Sequence, residues 1–467
     1  MKKLRILLFI LLLTGGFLVR LYKITNPVAD WHSWRQADTA SVTRSFVAYG
    51  VNPFIPRYAD LDDPAGNGVL NPNGYRMVEF PVFNLLHVGV MHLLPQYSLE
   101  YTGRLTTIFT SIVAAAALFF LVRRHLNMTV AFLAMGLFLF LPYNIYFSRV
   151  ILPDMLMVAL SLLTLNFFDL WIKKPIGKWL LATAVSGALA MLVKPMAVFL
   201  LTPILWSART KFKDFRLYVL GALTILPLLL WREWVAKFPE GIPAFWWLLN
   251  GNGIRLRPAF FRWIFGERLG SLILGKWGTI LLFGGIISLV TTPYFLIFFG
   301  SAILYLVVFA TGNIQHDYYQ IIIIPALSVA LALGIQYFFK SGPRWPETFV
   351  KRGLLLLCIV FALGFSWYDM KGDYQINHWE IVHAGIAVQR LTQPEAVVVA
   401  DYNGDSAFLY QTNRRGFTIL AAPVADLISK YGVSYYISTT YGDQTNKLMQ
   451  QYPVVEETSE YVVLRLQ

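Results

Sequence analysis

The sequence predicts a mainly α-helical, polytopic transmembrane bundle of about eleven spans, followed by a small C-terminal α/β domain outside the cytoplasm. Three observations lead there. Of 467 residues, 57% are hydrophobic and 14% charged, whereas soluble globular domains carry about a quarter charged residues. Apolar runs near the roughly 20 residues that cross a bilayer recur up to residue 369. Beyond residue 371 the pattern changes to short β-branched and aromatic runs.

The candidate spans are 4–21, 104–122, 128–147, 154–172, 179–193, 195–208, 215–235, 270–290, 292–311, 318–339 and 353–369. The first has the length of a signal peptide, but no small-x-small cleavage site is evident and further spans follow, so it reads as a retained helix. Lys2, Lys3 and Arg5 place the N-terminus in the cytoplasm. Alternate loops then carry Arg123-Arg124, Lys173-Lys174 with Lys178, Arg209-Lys211-Lys213, and Lys340 through Lys351-Arg352, all on that same side. Residues 81–95 are apolar but too short to span, and counting them would reverse every later helix; they read as a helix lying at the outer interface. Residues 179–208 as one helix would run about 45 Å, overshooting a hydrocarbon core of about 30 Å, so a hairpin breaking at Lys194-Pro195 fits better.

This topology puts the long loop 22–103, the loop 148–153, the turn at Lys194, the loop 236–269, the turn 312–317 and the portion 372–467 on the outer face. The chain thus divides into a transmembrane domain, 1–371, and an extracytoplasmic domain, 372–467. In the latter, VVVA (397–400), SYYIS (434–438) and YVVLRL (461–466) read as strands, and 381–391 and 424–431 as helices. DYNGD (401–405), with Asp401 and Asp405, reads as a loop. The net charge of +13 comes from Lys and Arg clustered between apolar runs, where they orient a membrane protein rather than bind nucleic acid. The single cysteine, Cys358, excludes a disulfide framework and a Cys-based metal site.

Five polar constellations fall on the outer face. DWHSWRQAD (30–38) holds Asp30, His32, Arg35 and Asp38 between apolar surfaces; a partly desolvated carboxylate there is a candidate general base, and Arg35 a candidate phosphate ligand. An interfacial aromatic belt of Trp31 and Trp34 with solvated charges reads the same letters. SRVILPD (148–154) carries Arg149 and Asp154; Asp154 after Pro153 also suits a helix N-terminus. Lys194 stands at a break between spans, where lysines often snorkel. QHDYYQ (315–320) offers His316, Tyr318 and Tyr319 to a head group, and Glu79 in EFPVF must stay wet or paired. Ionisable groups at a membrane margin are functional candidates.

At these residues the chain resembles the GT-C superfamily of membrane glycosyltransferases, specifically the bacterial relatives of protein O-mannosyltransferases and lipid A aminoarabinose transferases (glycosyltransferase family 39 and its neighbours). The resemblance covers roughly residues 1–340: EFPVF before the interfacial helix, GRL (103–105), the span ending in RRH, PYNIYFSRVILPD (142–154), the Lys-Pro break and YYQIIIIP (318–325). The first loop departs from the pattern: where many relatives carry an Asp-Glu pair ahead of the Arg aligned with Arg44, this chain reads Arg35-Gln36, leaving Asp30 or Asp38 as the acidic residue.

The resemblance implies an inverting transfer of a sugar from a polyprenyl-phosphate-linked donor to an acceptor hydroxyl at the outer face of the bacterial cytoplasmic membrane. The acceptor would be a glycan, lipid or protein. It implies catalytic roles for Asp30, as base, and Asp154, and substrate or phosphate contacts from His32, Arg35, Glu79, Arg149, Lys194, His316, Tyr318 and Tyr319. A divalent Mg or Mn ion at Asp30 and Asp154 is compatible with the pattern but not required by it. A transporter or flippase of lipid-linked sugars is the competing reading; it would show internal repeats and midplane polar residues, which this sequence lacks.

Overall fold

A computed structural model describes residues 2–251, 253–340 and 347–467. The expected basic loop around 340–352 therefore lies partly outside the described residues, as does one residue of the loop 236–269. By packing the chain divides into two units: Met1–Tyr22, Thr107–Trp231 and Phe245–Gly372 form the first, and Lys23–Thr106, Arg232–Ala244 and Asp373–Gln467 the second. Packing thus groups the long loop 22–103 with the C-terminal portion, whereas the expected boundary lay at 371/372.

The first unit is helical. By length and composition, five helices among the described residues qualify as membrane spans: Leu99–His125, Asp154–Lys173, Phe215–Val235, Asp317–Lys340 and Phe349–Met370. A sixth is added if Pro258–Ile273 and Gly278–Leu289, bent by 111° at their break, count as one. The bend has a local cause: Gly275 and Lys276 both take positive φ, 53° and 60°, which closes an α-helix. The remaining expected spans are shorter pieces. Residues 128–147 split into Met128–Phe140, capped by Asn127 accepting from Val130 N, and Pro142–Phe147, because Pro142 cannot donate to the turn before it. Residues 179–208 break at Lys194, whose backbone is extended, as expected, and again before Pro203. Residues 292–311 give Pro293–Val308, after which Ala310–Gln315 is helical where a turn was expected. The first helix, Lys2–Arg20, ends on a buried arginine whose guanidinium donates to Ser148 Oγ (2.6 Å) and to the Gly16 and Leu139 carbonyls (2.7 and 2.9 Å).

The second unit has a five-stranded sheet of β1 (Val397–Asp401), β2 (Arg415–Phe417), β3 (Val433–Ser438), β4 (Val454–Glu457) and β5 (Val462–Arg465), in the order β2-β1-β3-β5-β4. β2 and β3 run parallel to β1; β5 pairs antiparallel with β3 and β4. The expected strands and helices are present; β2, β4 and the helices Ser406–Thr412 and Asp443–Gln451 are additional. The outer loop joins this sheet. Leu61 N donates to Gly416 O (2.8 Å), Gly416 N to Ala59 O (3.0 Å), and the Leu61 side chain is buried among Val399, Phe417, Tyr436 and Val462. Burial of apolar area across this junction is what makes loop and C-terminal portion one body.

Candidate functional site

The stretch DWHSWRQAD begins a helix, Ser33–Tyr49, within the expected long loop 22–103. His32 turns the chain into it with a left-handed φ of 56°. The helix lacks an apolar stripe, and polar residues fill its buried face. Asp30, Arg35, Gln36, Asp38 and Thr39 are all buried, so the charges of this stretch are not solvated. Each buried charge has a partner, as desolvation requires.

Asp30 accepts from Gln36 Nε2 (2.6 Å) on one oxygen and from Arg104 Nη2 (3.3 Å) on the other. Arg104, itself fully buried, also donates to Ile24 O (2.8 Å) and Asn26 O, so the trio latches the turn that follows the first helix. Arg104 lies in the GRL motif but carried no assigned role; an arginine inside an apolar run was the signal. Arg35 pairs with Glu79 (2.6 Å), and Arg76 pairs with Asp38 (2.7 Å). The second Asp38 oxygen accepts from Ser406 Oγ (2.8 Å). Arg35, Asp38, Arg76 and Glu79 line one small crevice, whereas the Asp30 side chain has no exposure. The His32 ring packs 4.6 Å from Trp31, centroid to centroid.

In the first unit a second cluster forms. Asp154 opens the helix Asp154–Lys173, and both its oxygens accept from Lys194 Nζ, at 2.8 and 2.9 Å. The ammonium lies 5.9 Å from the Tyr318 ring and 5.3 Å from Tyr319. The His316 ring lies 5.5 Å from Tyr318 and 5.7 Å from Trp247. Asp317, beside them, pairs with Arg268 (3.3 Å), and its carbonyl accepts from Tyr143 Oη (2.6 Å). Arg268, within the expected outer loop 236–269, falls in the π-helical stretch Arg262–Ile273. Arg149 is fully buried with its guanidinium 5.0 Å over Tyr146. Asp154, Lys194 and the stretch holding His316, Tyr318 and Tyr319, three separate segments of the chain, therefore converge, and so do Arg35, Asp38 and Glu79.

Asp30 and Asp154 belong to different units, and each carboxylate is taken by a cation of its own. A Mg or Mn ion would have to displace Arg104 or Lys194, and among the described residues no three His, Cys, Asp or Glu side chains gather as ligands. The donor sets as folded do not fit a metal.

The helical assembly has the fold of the GT-C membrane glycosyltransferases, which the solved structures below share. Residues 81–232 match the family described as dolichyl-phosphate-mannose-protein mannosyltransferase. The chain is similar to ArnT from Cupriavidus metallidurans bound to undecaprenyl phosphate, at a TM-score of 0.67 and 13% identity over 99% of this chain and 98% of that one. It is also similar to the oligosaccharyltransferase of Archaeoglobus fulgidus in its apo form, at a TM-score of 0.57 and 11% identity over 92% of this chain and 69% of that one. The archaeal oligosaccharyltransferase AglB from the same organism, in complex with an inhibitory peptide and a dolichol-phosphate, aligns at a TM-score of 0.52 and 10% identity over the same 92% and 69%. No curated protein matches by sequence.

Proposed function

We propose that the chain is an inverting glycosyltransferase that moves a sugar from a polyprenyl-phosphate-linked donor to an acceptor hydroxyl at the outer face of the bacterial cytoplasmic membrane. The observation that carries the reading is the fold shared over nearly the whole length with ArnT, a protein whose structure holds undecaprenyl phosphate. The acceptor oxygen bonds to the anomeric carbon as the bond from that carbon to the phosphate oxygen breaks. The hydroxyl proton passes to a carboxylate, and the polyprenyl phosphate leaves as the anion.

The base must be reachable by the acceptor. Asp38 meets that condition through the crevice it shares with Arg35, Arg76 and Glu79. Both carboxylates have both oxygens engaged, but the Asp30 side chain has no exposure, whereas Asp38 retains 7%. We therefore assign the base to Asp38 and a latch role to Asp30, in place of the expected assignment. Arg35, which lines the same crevice as Asp38, supplies positive charge for the departing phosphate. In the first unit Lys194, held by Asp154 and flanked by Tyr318 and Tyr319, and Arg149 are further cationic candidates for binding a phosphate.

The test is incubation of the purified, folded protein with a panel of polyprenyl-phosphate sugars, following free polyprenyl phosphate. Release from at least one donor is expected; a folded protein that releases none from any donor overturns the proposal.

A further inference from the structure

The second unit contains a cavity of about 510 Å³ bordered by the end of the helix Ser33–Tyr49, the segment that follows it, and Asn413–Arg415. That volume is in the range of small-molecule sites, roughly 300–1,000 Å³. Four arginines line it, Arg44, Arg57, Arg414 and Arg415, and no lining residue is an aspartate or glutamate.

The four differ in what already holds them. Arg414 is buried and donates to Thr392 Oγ1 (3.0 Å) and to the carbonyls of Asn413, Gln389 and Thr392 (3.1, 3.2 and 2.9 Å), which ties down its loop. Arg44 lies 3.8 Å over the Tyr410 ring and 3.7 Å from Glu100. Arg57 and Arg415 are exposed, and neither forms an ion pair among the described residues. Arg57 has only the Tyr75 ring at 5.4 Å, and Arg415 donates one bond, to Pro72 O at 3.1 Å.

The two cations sense one another. Arg415 is held below the ordinary arginine range by partial loss of water; Tyr49 pulls the other way, and the charge of Arg57 adds a smaller push in the same direction as the lost water. Two guanidinium groups at one cavity wall, with no carboxylate to offset them, repel unless an anion bridges them. The planar guanidinium fork matches phosphate oxygens in pairs. Around it stand Tyr49, Asn52 and Asn413, an aromatic face and amides of the kind that meet sugar rings and hydroxyls.

We propose that this cavity binds a phosphate-bearing saccharide, with Arg57 and Arg415 gripping the phosphate and the neighbouring aromatic and amide groups meeting the sugar. Its use as the docking point of an anionic acceptor glycan rests on the transferase reading above; the binding itself rests on the cavity alone.

The test is calorimetric titration of the full-length protein in detergent with maltose 1-phosphate, maltose and inorganic phosphate. The phosphosugar is expected to bind at least about tenfold more tightly than either of the other two, and Arg57→Ala and Arg415→Ala each to weaken it about tenfold or more, with Arg57→Lys restoring part of the loss. Melting temperature serves as the folding control. Since the Arg57 side chain is exposed, Arg57→Ala decides the matter even if Arg415→Ala fails to fold. Equal binding of maltose or of inorganic phosphate, or an Arg57→Ala protein that binds as wild type does, overturns the proposal. Failure of donor turnover would remove the transferase reading and leave phosphosugar binding intact; failure of this titration would do the reverse.

Discussion

Lys194 Nζ bonds both carboxylate oxygens of Asp154, at 2.8 and 2.9 Å, across 40 residues of sequence. The carboxylate is 1% exposed and the ammonium 11%, so neither charge has water to replace its partner. Removing one member leaves the other buried and uncompensated.

Asp154→Asn and Lys194→Ala should therefore each destabilise the first unit by about 3 kcal/mol, and a double change to apolar residues of similar volume should cost less than the sum. Thermal melts in detergent across the four proteins measure the coupling. Additive losses would mean that the pair is not the energetic unit described.

The two aspartates of the outer segment should separate by readout. Per folded molecule, Asp38→Asn should lower turnover by roughly 10²–10⁴, the scale of a lost general base, and it should also lower the melting temperature because Arg76 loses its counter-charge. Asp30→Asn should lower the melting temperature, because the buried Arg104 loses its counter-charge, but leave turnover per folded molecule near wild type. A folded but inactive Asp30→Asn beside an active Asp38→Asn would return the base to Asp30.

Asp60 gives a pH signature. It holds its proton well above the usual carboxylate range, first because it is desolvated and then because the Asp62 carboxylate is close; the Asp62 amide, donating to Asp60 Oδ1 at 2.9 Å, pulls the other way with less effect. The folded state thus binds this proton more tightly than the unfolded one does. Its contribution to stability is complete below the unfolded carboxylate value and is lost as pH rises through the folded value. Asp60→Asn keeps the acceptor and removes the charge. It should raise the melting temperature by about 2 °C at neutral pH and above, with little change at acidic pH. A melt difference that does not vary with pH would contradict this.

Gly285 and Gly334 bring the helices Gly278–Leu289 and Ile324–Lys340 into backbone contact. A Cβ on Gly334 would stand 1.8 Å from Leu281 O, and one on Gly285 2.0 Å from Ala330 O. Small residues permit such an approach between apolar helices. Gly334→Ala should cost about 3 kcal/mol or more, seen as a lower melt or loss of folded yield, whereas Gly300→Ala, with nothing within 4 Å, should be silent. Equal tolerance at both positions would show that the contact is not tight.

The short helix Val82–Leu93 and the break at Lys194 were legible because each depends on local content: length, apolarity or a proline. The residues Arg35, Asp38, Asp154, Lys194, Tyr318 and Tyr319 could be singled out because a charge or phenol beside an apolar run is costly wherever it lies. The span list was less legible. Gly275 and Lys276 turn the chain by 111° within an apolar run, and hydropathy carries no sign of backbone φ.

By itself the sequence determined that this is a membrane chain of apolar helices with a β-containing C-terminal portion, and which polar residues stand at the margins. Those properties follow from composition and period alone. Tertiary structure decided which charge meets which: Asp30 with Arg104, Arg35 with Glu79, Asp38 with Arg76, and Asp154 with Lys194. It also joined residues 59–61 to the sheet and gathered Arg57 with Arg415. Ion pairing and cavity shape depend on distances across the fold, and a helix without an apolar stripe, such as Ser33–Tyr49, is held by those partners rather than by its own pattern.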